Sequence, residues 1–361
     1  MDPQTSPQNF NLQNQIQTGS TPTPTPLPTR SKTVCFLPIL LLVLALVVWG
    51  FFSEKKITGL DVATRTTNFL DKTLQADGGM LGGMVCAKDS TVCEPMQVNE
   101  NQPHLGQAIY GYYTLAQATG DSSHRVKADD AMNYILDECQ GNVEMCAWNF
   151  FPLSRYYFDT KDDRYLQAML RPAFLTMSSK DIVGQNAGHK LASLYKATGD
   201  ENYRAKLVAV AEEELLNWPR SVNEYEYSIQ VVWSVLLPAY TATQDAKYLR
   251  ASEQFFDSFD LAERFSKLRA IEVAIKGADA LLSLSEVSDR GEVYWGQAHA
   301  VLQEVLENLW DDPETPIING DYGFLDITED KAVLKKTLNN GWLIKLFVIM
   351  KDEKFTLSND K

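Results

Sequence analysis

Three acidic residues, Glu100, Glu226 and Asp321, lie beside aromatic or amide residues in segments that connect predicted helices. Hydrolysis of a glycosidic bond needs two carboxyl groups, one that protonates the leaving oxygen and one that activates water or attacks the sugar. The three residues are therefore candidates for a catalytic acid/base pair, and Glu224 is a fourth eligible carboxylate. No spacing rule selects among them, so pairing Glu100 or Glu226 with Asp321 is a hypothesis.

The same connecting segments contain side chains that suit a sugar-binding site. Flat aromatic faces stack on apolar ring faces, and amide, imidazole and carboxylate groups hydrogen-bond hydroxyl groups. The candidates for substrate binding are Asp77, His104, Trp148, Asn149, Gln185, His189, Tyr225, Tyr227, Tyr322 and Trp342. For each of them taken singly, a structural role in a turn, a helix cap or the core is the alternative.

Missing motifs and the net charge exclude several classes of chemistry. The sequence contains no H-E-x-x-H, C-x-x-C, P-loop, G-x-G-x-x-G or G-x-S-x-G motif. We therefore predict no metal site and no cofactor. The formal net charge of -14 argues against nucleic acid as a partner, because a protein that neutralises phosphates needs a basic face.

The cysteines indicate two local disulfides. Cys35 lies in an apolar segment, whereas Cys86 with Cys93 and Cys139 with Cys146 form two closely spaced pairs. Loops of this size close easily, and disulfides persist in oxidising compartments. The alternative is four free thiols in a cytosolic domain.

The N-terminal part differs in composition from the rest of the 361 residues. Residues 1–32 are rich in Gln, Asn, Thr and Pro and predict a disordered tail. Thr33 to Phe52 carry no charge and are long enough for a membrane-spanning helix, so residues 33–53 are predicted to be a signal-anchor in the lipid bilayer. A buried core helix and a cleaved signal peptide are the alternatives. Together with the disulfides, this predicts a single-pass membrane protein whose large domain is extracytoplasmic.

A repeated turn motif organises the remaining residues, 54–361. Its four copies are Ala118–Asp121, Asp159–Asp162, Ala197–Asp200 and Ala242–Asp245. A residue such as Gly120 can end one helix in the left-handed conformation, while the Asp caps the next helix. Apolar spacing around these turns predicts twelve helices, at 58–76, 104–118, 122–138, 148–158, 163–178, 185–197, 201–217, 228–242, 246–259, 267–286, 292–310 and 338–350. Helices after the longer connections are the more apolar, which predicts an inner ring inside an outer one.

The turn sequence Leu194–Tyr203 resembles the L-Y-x-x-T-G-D-x-x-Y turns of the six-hairpin glycosidase superfamily. The resemblance covers about residues 57 to 355 and implies an all-α (α/α)6 toroid of six hairpins, in which helix 58–76 pairs with helix 338–350. It also implies a site at the N-terminal ends of the inner helices, where the candidate residues lie. A tetratricopeptide-type solenoid is the structural alternative, but its repeat is shorter and more regular.

The resemblance implies a carbohydrate-active protein with a glycan or oligosaccharide as partner, most simply a glycosidase-like hydrolase. One alternative is a non-catalytic glycan-binding or envelope assembly protein, because a fold alone does not determine a function. Another is an epimerase or uronate lyase that uses His104, His189, Tyr225 or Tyr227 for proton abstraction. The sequence leaves the oligomeric state open.

Overall fold

Each of the four T-x-D motifs forms a tight turn between two helices. The middle residue has a left-handed φ of 58° to 72° at Gly120, Lys161, Gly199 and Gln244. The Asp caps the following helix, as where Asp121 Oδ1 accepts the Ser123 N–H at 2.8 Å. The prediction for these turns is confirmed. The Thr adds a contact that was not expected, because the Thr119 hydroxyl accepts the Asp121 N–H at 3.1 Å.

The chain is described by a computed structural model. It describes residues 55–86, 92–96, 104–180, 183, 186–218, 224–258, 260–268, 271–311, 313, 320–327 and 333–357. The helices are α1 (Gly59–Thr73), α2 (His104–Thr119), α3 (Ser122–Gly141), α4 (Val143–Trp148), α5 (Phe150–Thr160), α6 (Asp163–Leu170), α7 (Ala173–Ser178), α8 (Ala187–Thr198), α9 (Glu201–Leu216), α10 (Tyr225–Val231), α11 (Leu237–Thr243), α12 (Ala246–Asp257), α13 (Leu261–Leu268), α14 (Ile271–Val287), α15 (Gly291–Leu309) and α16 (Thr337–Ile349). The strands are β1 (Lys55–Thr58), β2 (Gly83–Cys86), β3 (Cys93–Pro95), β4 (Asp326–Ile327), β5 (Val333–Lys336) and β6 (Lys354–Leu357).

The helices pack as an inner ring with an outer partner beside each member. The inner ring runs α2, α5, α8, α10 with α11, α14 and α16, and α16 packs back against α2. The outer partners α3, α6, α9, α12 and α15 each pack against the inner helix before them in the chain, and α1 packs against α16. The predicted inner and outer sets and the closure by α1 are confirmed.

The strands are a correction to the all-α prediction. Strand β1 pairs antiparallel with β6, with Ile57 opposite Phe355, and thereby joins the two ends of the ring. A second sheet has the order β3-β2-β5-β4 and lies in the long connections after α1 and α15. Each described strand has only 2 to 4 residues, too few for an alternating pattern to show in the sequence.

A π-helical segment, Val232–Leu236, joins α10 to α11. Proline has no N–H, so Pro238 cannot donate to the carbonyl of Ser234, and the widened turn accommodates this. A Cβ on Gly188 of α8 would collide with the same Ser234 carbonyl. The widened turn and the glycine therefore bring α8 against the segment that carries Trp233.

The predicted disulfides are present, and one of them is placed differently from the expectation. Cys86 pairs with Cys93 between β2 and β3. Cys139 pairs with Cys146 and clips α3 to α4 rather than closing a loop.

No helix within the described ranges is long and apolar enough to span a bilayer. The predicted tail and anchor, 1–32 and 33–53, lie outside those ranges and remain predictions.

Candidate functional site

A cavity of about 190 Å³ opens where the N-terminal ends of five inner helices converge. Its walls come from α2, the α4–α5 junction, α8, α14 and α16. The lining residues are Gln107, Trp148, Phe151, Asn186, Lys190, Glu272, Ile275, Lys276, Leu338, Asn339 and Trp342. Apart from Trp148, which ends α4, and Asn186, which precedes α8, the lining residues belong to the first two turns of inner helices. The toroid therefore positions most of the lining through the starts of these helices.

The lining combines flat apolar faces with amide groups. Trp148 lies at the mouth with 45% of its surface exposed, whereas Trp342 is buried in the wall. Gln107 and Asn339 are buried polar residues, and Asn339 Nδ2 has no hydrogen-bond partner among the described residues. A buried amide N–H without a partner is costly, so this donor is well suited to a ligand oxygen.

Close contact between α2 and α16 holds this part of the wall. A Cβ on Gly111 would collide with the carbonyl of Gly341, and one on Gly341 would collide with the backbone at Gln107 and Ala108. The two glycines let the helix backbones touch, which brings Gln107 and Asn339 to one cavity.

Two lysines give the cavity a positive character. Lys190 is buried and forms no ion pair within the described part of the chain, and burial lowers the pKa of its amine to about 8. Lys276 is half-buried, and its Nζ lies 6.0 Å from the centre of the Trp233 ring. Burial also lowers the pKa of Lys276, and the Glu272 charge opposes this shift. Two desolvated amines with little compensation favour an anionic group between them.

Glu272 is the one carboxylate among the described lining residues. It is exposed at the rim, and Lys336 Nζ lies 3.2 Å from its Oε1. Two carboxyl groups facing each other across the cavity, the arrangement expected for glycoside hydrolysis, are therefore not assembled by the described residues alone.

A buried ion pair supports the aromatic floor beneath the cavity. Asp279 Oδ2 accepts the indole N–H of Trp233 at 3.0 Å and that of Trp342 at 3.3 Å. Its Oδ1 is 2.7 Å from Lys345 Nζ. Burial raises the pKa of Asp279, but the Lys345 charge and the bonds from Lys345 and Trp233 outweigh burial and hold the pKa below its usual value. The charged carboxylate fixes both indoles.

The predicted residue His189 packs behind this floor. Its ring centre is 4.8 Å from that of Trp233 and 5.6 Å from that of Phe151. Burial lowers the pKa of His189 to about 4, and its Nε2 is buried with no hydrogen-bond partner in the described structure. It lines a separate cavity beyond the floor, with Phe158 and Pro238, and is not positioned for proton abstraction from a ligand at Trp342.

Asp321 lies away from the cavity, in a buried ionic network. Its Oδ1 is 2.6 Å from Lys335 Nζ, and its Oδ2 is 3.3 Å from Lys72 Nζ. Its Oδ1 also accepts the Gly323 N–H at 3.1 Å. With both oxygens occupied and no access to the cavity, Asp321 has the placement of a structural residue.

Glu226 and its neighbouring tyrosines also lie outside the cavity lining. Glu226 is exposed and accepts a hydrogen bond from the Tyr225 hydroxyl at 3.0 Å. Burial, then that hydrogen bond, raises the pKa of Tyr225 to about 12. The Tyr227 hydroxyl donates to Glu214 at 3.0 Å. The structure does not bring Glu226 and Asp321 together as a pair around the cavity.

Three other predicted residues have local structural roles. Asp77 is exposed and accepts the Gly79 N–H at 2.9 Å within a turn. Asn149 is buried and donates to the Met145 carbonyl at 2.9 Å. Tyr322 packs on Trp310 at 5.4 Å between ring centres.

Some predicted positions lie outside the described residues. These are Glu100, Gln185 and the side chain of His104, whose backbone begins α2. Of the candidates whose side chains are described, Trp148 and Trp342 line the cavity.

Comparison with known proteins gives matches at the level of structure. No family model and no curated protein matches the sequence. An unsaturated glucuronyl hydrolase specific for heparin matches with a TM-score of 0.62 and 13% identity over 80% of this chain and 95% of its own. The unsaturated glucuronyl hydrolase of Bacillus sp. GL1 matches with a TM-score of 0.59 and 11% identity, over 80% and 94%. That of Streptococcus agalactiae matches with a TM-score of 0.58 and 11% identity, over 84% and 95%.

The fold is the six-hairpin (α/α)6 toroid. The resemblance first seen in the turn sequence is confirmed at the level of fold. At this identity the comparison establishes the architecture of the toroid and leaves its chemistry to the residues of the cavity.

Lys190, Lys276, Glu272 and Gln107 line the cavity but were not among the predicted site residues. They lie within the first two turns of their helices, whereas the prediction concentrated on the connections before them. The signal was present for Lys190 and Lys276, because each interrupts the apolar face of an inner helix near its start. A charged residue on such a face is either paired or functional.

Proposed function

We propose that the toroid binds a saccharide carrying a carboxylate or sulfate group in the cavity at the inner-helix N-termini. The observation that carries the proposal is Lys190, a buried amine that has no ion-pair partner within the described part of the chain and lines the cavity beside Lys276. The indoles of Trp148 and Trp342 would hold the sugar ring, and Gln107 and Asn339 would bond its hydroxyl groups. The positive ends of five helices add to the attraction for an anion.

The structural neighbours support this class of ligand. They are named unsaturated glucuronyl hydrolases, and a mutant of the Streptococcus agalactiae protein has been solved in complex with dGlcA-GalNAc6S. At least one structural neighbour therefore binds an acidic sugar. The two lysines are an independent reason to expect such a ligand in this cavity.

Binding is tested by calorimetry on the full chain with a glucuronide disaccharide and with its neutral glucoside counterpart. We expect measurable affinity for the acidic sugar and a loss of at least tenfold for the neutral one, about 1.4 kcal/mol. Lys190→Met should abolish the preference. Lys196→Met is the matched control because Lys196 lies on the same helix outside this cavity. Equal affinity for both sugars, or no binding of either, would contradict the proposal.

Hydrolysis is a second candidate, favoured by the hydrolase neighbours. It needs a second carboxyl group besides Glu272, and Glu100, four residues before α2 begins, could supply it. We expect Glu100→Gln and Glu272→Gln each to abolish cleavage of acidic oligosaccharides, whereas Glu226→Gln should leave it unchanged. If acidic oligosaccharides bind and none is cleaved, the protein is a glycan-binding toroid without hydrolase activity.

The anchor and the compartment belong to the same proposal. Residues 33–53 would hold the toroid at the outer face of a membrane, where the two disulfides would persist. Protease treatment of intact cells expressing the chain tests this. We expect the toroid to be digested from outside, with both disulfides found by non-reducing peptide mapping, and protection of the toroid would exclude this topology.

A further inference from the structure

Lys335 is held between two carboxylates in the core, away from the cavity. Its Nζ lies 2.6 Å from Asp311 Oδ2 and 2.6 Å from Asp321 Oδ1. The side chains of Lys335 and Asp311 have no exposed surface, and that of Asp321 is 3% exposed. Three ionisable groups buried in contact with one another cost far more free energy than a surface ion pair. Such a grouping can act chemically as well as structurally.

Aromatic side chains lie near this triad, and the half-exposed Lys72 contacts Asp321. Trp310, next to Asp311 in the sequence, and Phe324, three residues after Asp321, are fully buried. The Phe69 ring lies against Gly323. A dry, low-dielectric site disfavours charged groups and favours any arrangement in which opposite charges cancel. An ammonium group and a carboxylate lose their charges reversibly when a proton moves between them, and they lose them permanently when they condense to an amide.

The two carboxylates are differently placed for such a condensation. Asp321 Oδ2 is also 3.3 Å from Nζ of the half-exposed Lys72, so Asp321 contacts two lysines. Asp311 Oδ2 accepts the backbone N–H of Gly320 at 2.9 Å, a donor that would stabilise negative charge developing on the carboxyl group under attack. Asp311 is thus the electrophile and Asp321 the proton carrier.

We propose that Lys335 and Asp311 become joined by an intramolecular amide bond. Asp321 takes a proton from the Lys335 ammonium group and passes it to Asp311, and the free amine attacks Cγ of the neutral Asp311 carboxyl group. The tetrahedral intermediate then loses one carboxyl oxygen as water, which carries the proton that Asp321 relayed and a second proton from the nitrogen. One ammonium and one carboxylate become one amide and one water, and no other reactant is needed.

The charge balance favours the linked form. Among the described residues, the cluster holds two lysines and two aspartates before reaction, and afterwards Asp321 keeps its pair with Lys72. The fold holds the reacting groups in contact, so the reaction does not carry the entropy cost of a bimolecular encounter. The bond would tie the end of α15 to β5 and so close the last long connection of the toroid covalently.

Mass spectrometry of the purified full chain tests the proposal directly. After reduction of the disulfides, we expect the intact mass to be lower than that of the sequence by one water. Tryptic mapping should find a branched peptide with Lys335 joined to Asp311, without cleavage after Lys335. Separate linear peptides for the two residues at full mass would overturn the proposal, as would a branch to Asp321 instead.

Variants assign the roles. Asp321→Asn should restore the full mass, because the proton carrier is lost while both reacting groups remain. Lys336→Met is the matched control, since Lys336 is next to Lys335 in the sequence but pairs outside the triad with Glu272 and Asp326. The mass of this variant should still be short by one water. Persistence of the linkage in Asp321→Asn would overturn the role of Asp321. The intact mass and peptide map of the wild-type chain test the linkage without any variant. The proposal can therefore be refuted even if a variant folds poorly.

Discussion

Asp279 and Lys345 form an ion pair beneath the cavity, with 2.7 Å between Oδ1 and Nζ, and both side chains largely buried. The pair comes from two inner helices, α14 and α16, that are distant in sequence. Through its other oxygen, Asp279 also fixes the indoles of Trp233 and Trp342. One carboxylate therefore sets the position of the cavity floor and part of its wall.

Removal of the charge of Asp279 should strongly destabilise the fold. Asp279→Asn leaves the ammonium group of Lys345 buried without a counter-charge, and breaking a buried pair in this way costs about 3–5 kcal/mol. The free energy of unfolding from denaturant titration measures the loss. Asp257→Asn is the matched control, because its partner Arg290 is half-exposed and such pairs contribute about 1 kcal/mol or less. Equal losses in the two variants would contradict the assigned role of Asp279.

Acid should destabilise the protein through His189. Its pKa in the folded state is about 4, below the usual 6.5, so between these values the unfolded chain binds a proton that the folded chain does not. Stability is therefore lost as the pH falls from about 6.5 towards 4, by up to about 3 kcal/mol. His189→Phe should flatten this part of the pH profile. A profile unchanged by His189→Phe would contradict this prediction.

The architecture of the toroid could be predicted because its turns are local. A left-handed residue followed by a capping Asp marks the end of one helix and the start of the next, as at Gly199 and Asp200, and no distant contact is needed. The short strands could not be predicted in the same way. β1 forms only because the ring brings it to β6 at the far end of the chain.

The site was only partly predictable for a related reason. Trp148 and Trp342, which line the cavity, could be selected from the sequence because large aromatic residues in or beside the connections between helices are conspicuous. Asp321 was misjudged as a cavity residue, because its partners Lys335 and Lys72 are brought to it by β5 and α1 and cannot be seen in its sequence neighbourhood. Lys190 was missed because the prediction concentrated on the connections before the inner helices, although a charged residue on the apolar face of such a helix is itself a signal.

The exposed indole of Trp148 should contribute to ligand affinity without contributing to stability. Trp148→Ala removes a stacking face at the cavity mouth, and we expect about a tenfold weaker binding of an acidic disaccharide, about 1.4 kcal/mol. The melting temperature should stay unchanged because 45% of the residue surface is exposed. Phe174→Ala is the control, since Phe174 is an exposed aromatic residue elsewhere on the ring and should alter neither quantity. Unchanged affinity in Trp148→Ala would place the ligand elsewhere.

Lys190 should lower the free energy of unfolding and at the same time bind the anionic ligand. A lysine with a purely structural role does not show this combination. Its pKa of about 8 in the folded state lies below the usual 10.5, because burial disfavours the charged form. The penalty is complete below pH 8 and is relieved as the pH rises from about 8 to 10.5, where the folded amine is neutral and the unfolded one is still charged. Lys190→Met should therefore raise the free energy of unfolding at pH 7, by up to about 3 kcal/mol, and abolish the increase between pH 8 and 10.5. Chemical denaturation across this pH range measures both effects, with Lys196→Met expected to change neither. A Lys190→Met variant that is less stable at pH 7 would show that the amine has a stabilising partner, and the anion site would lose its basis.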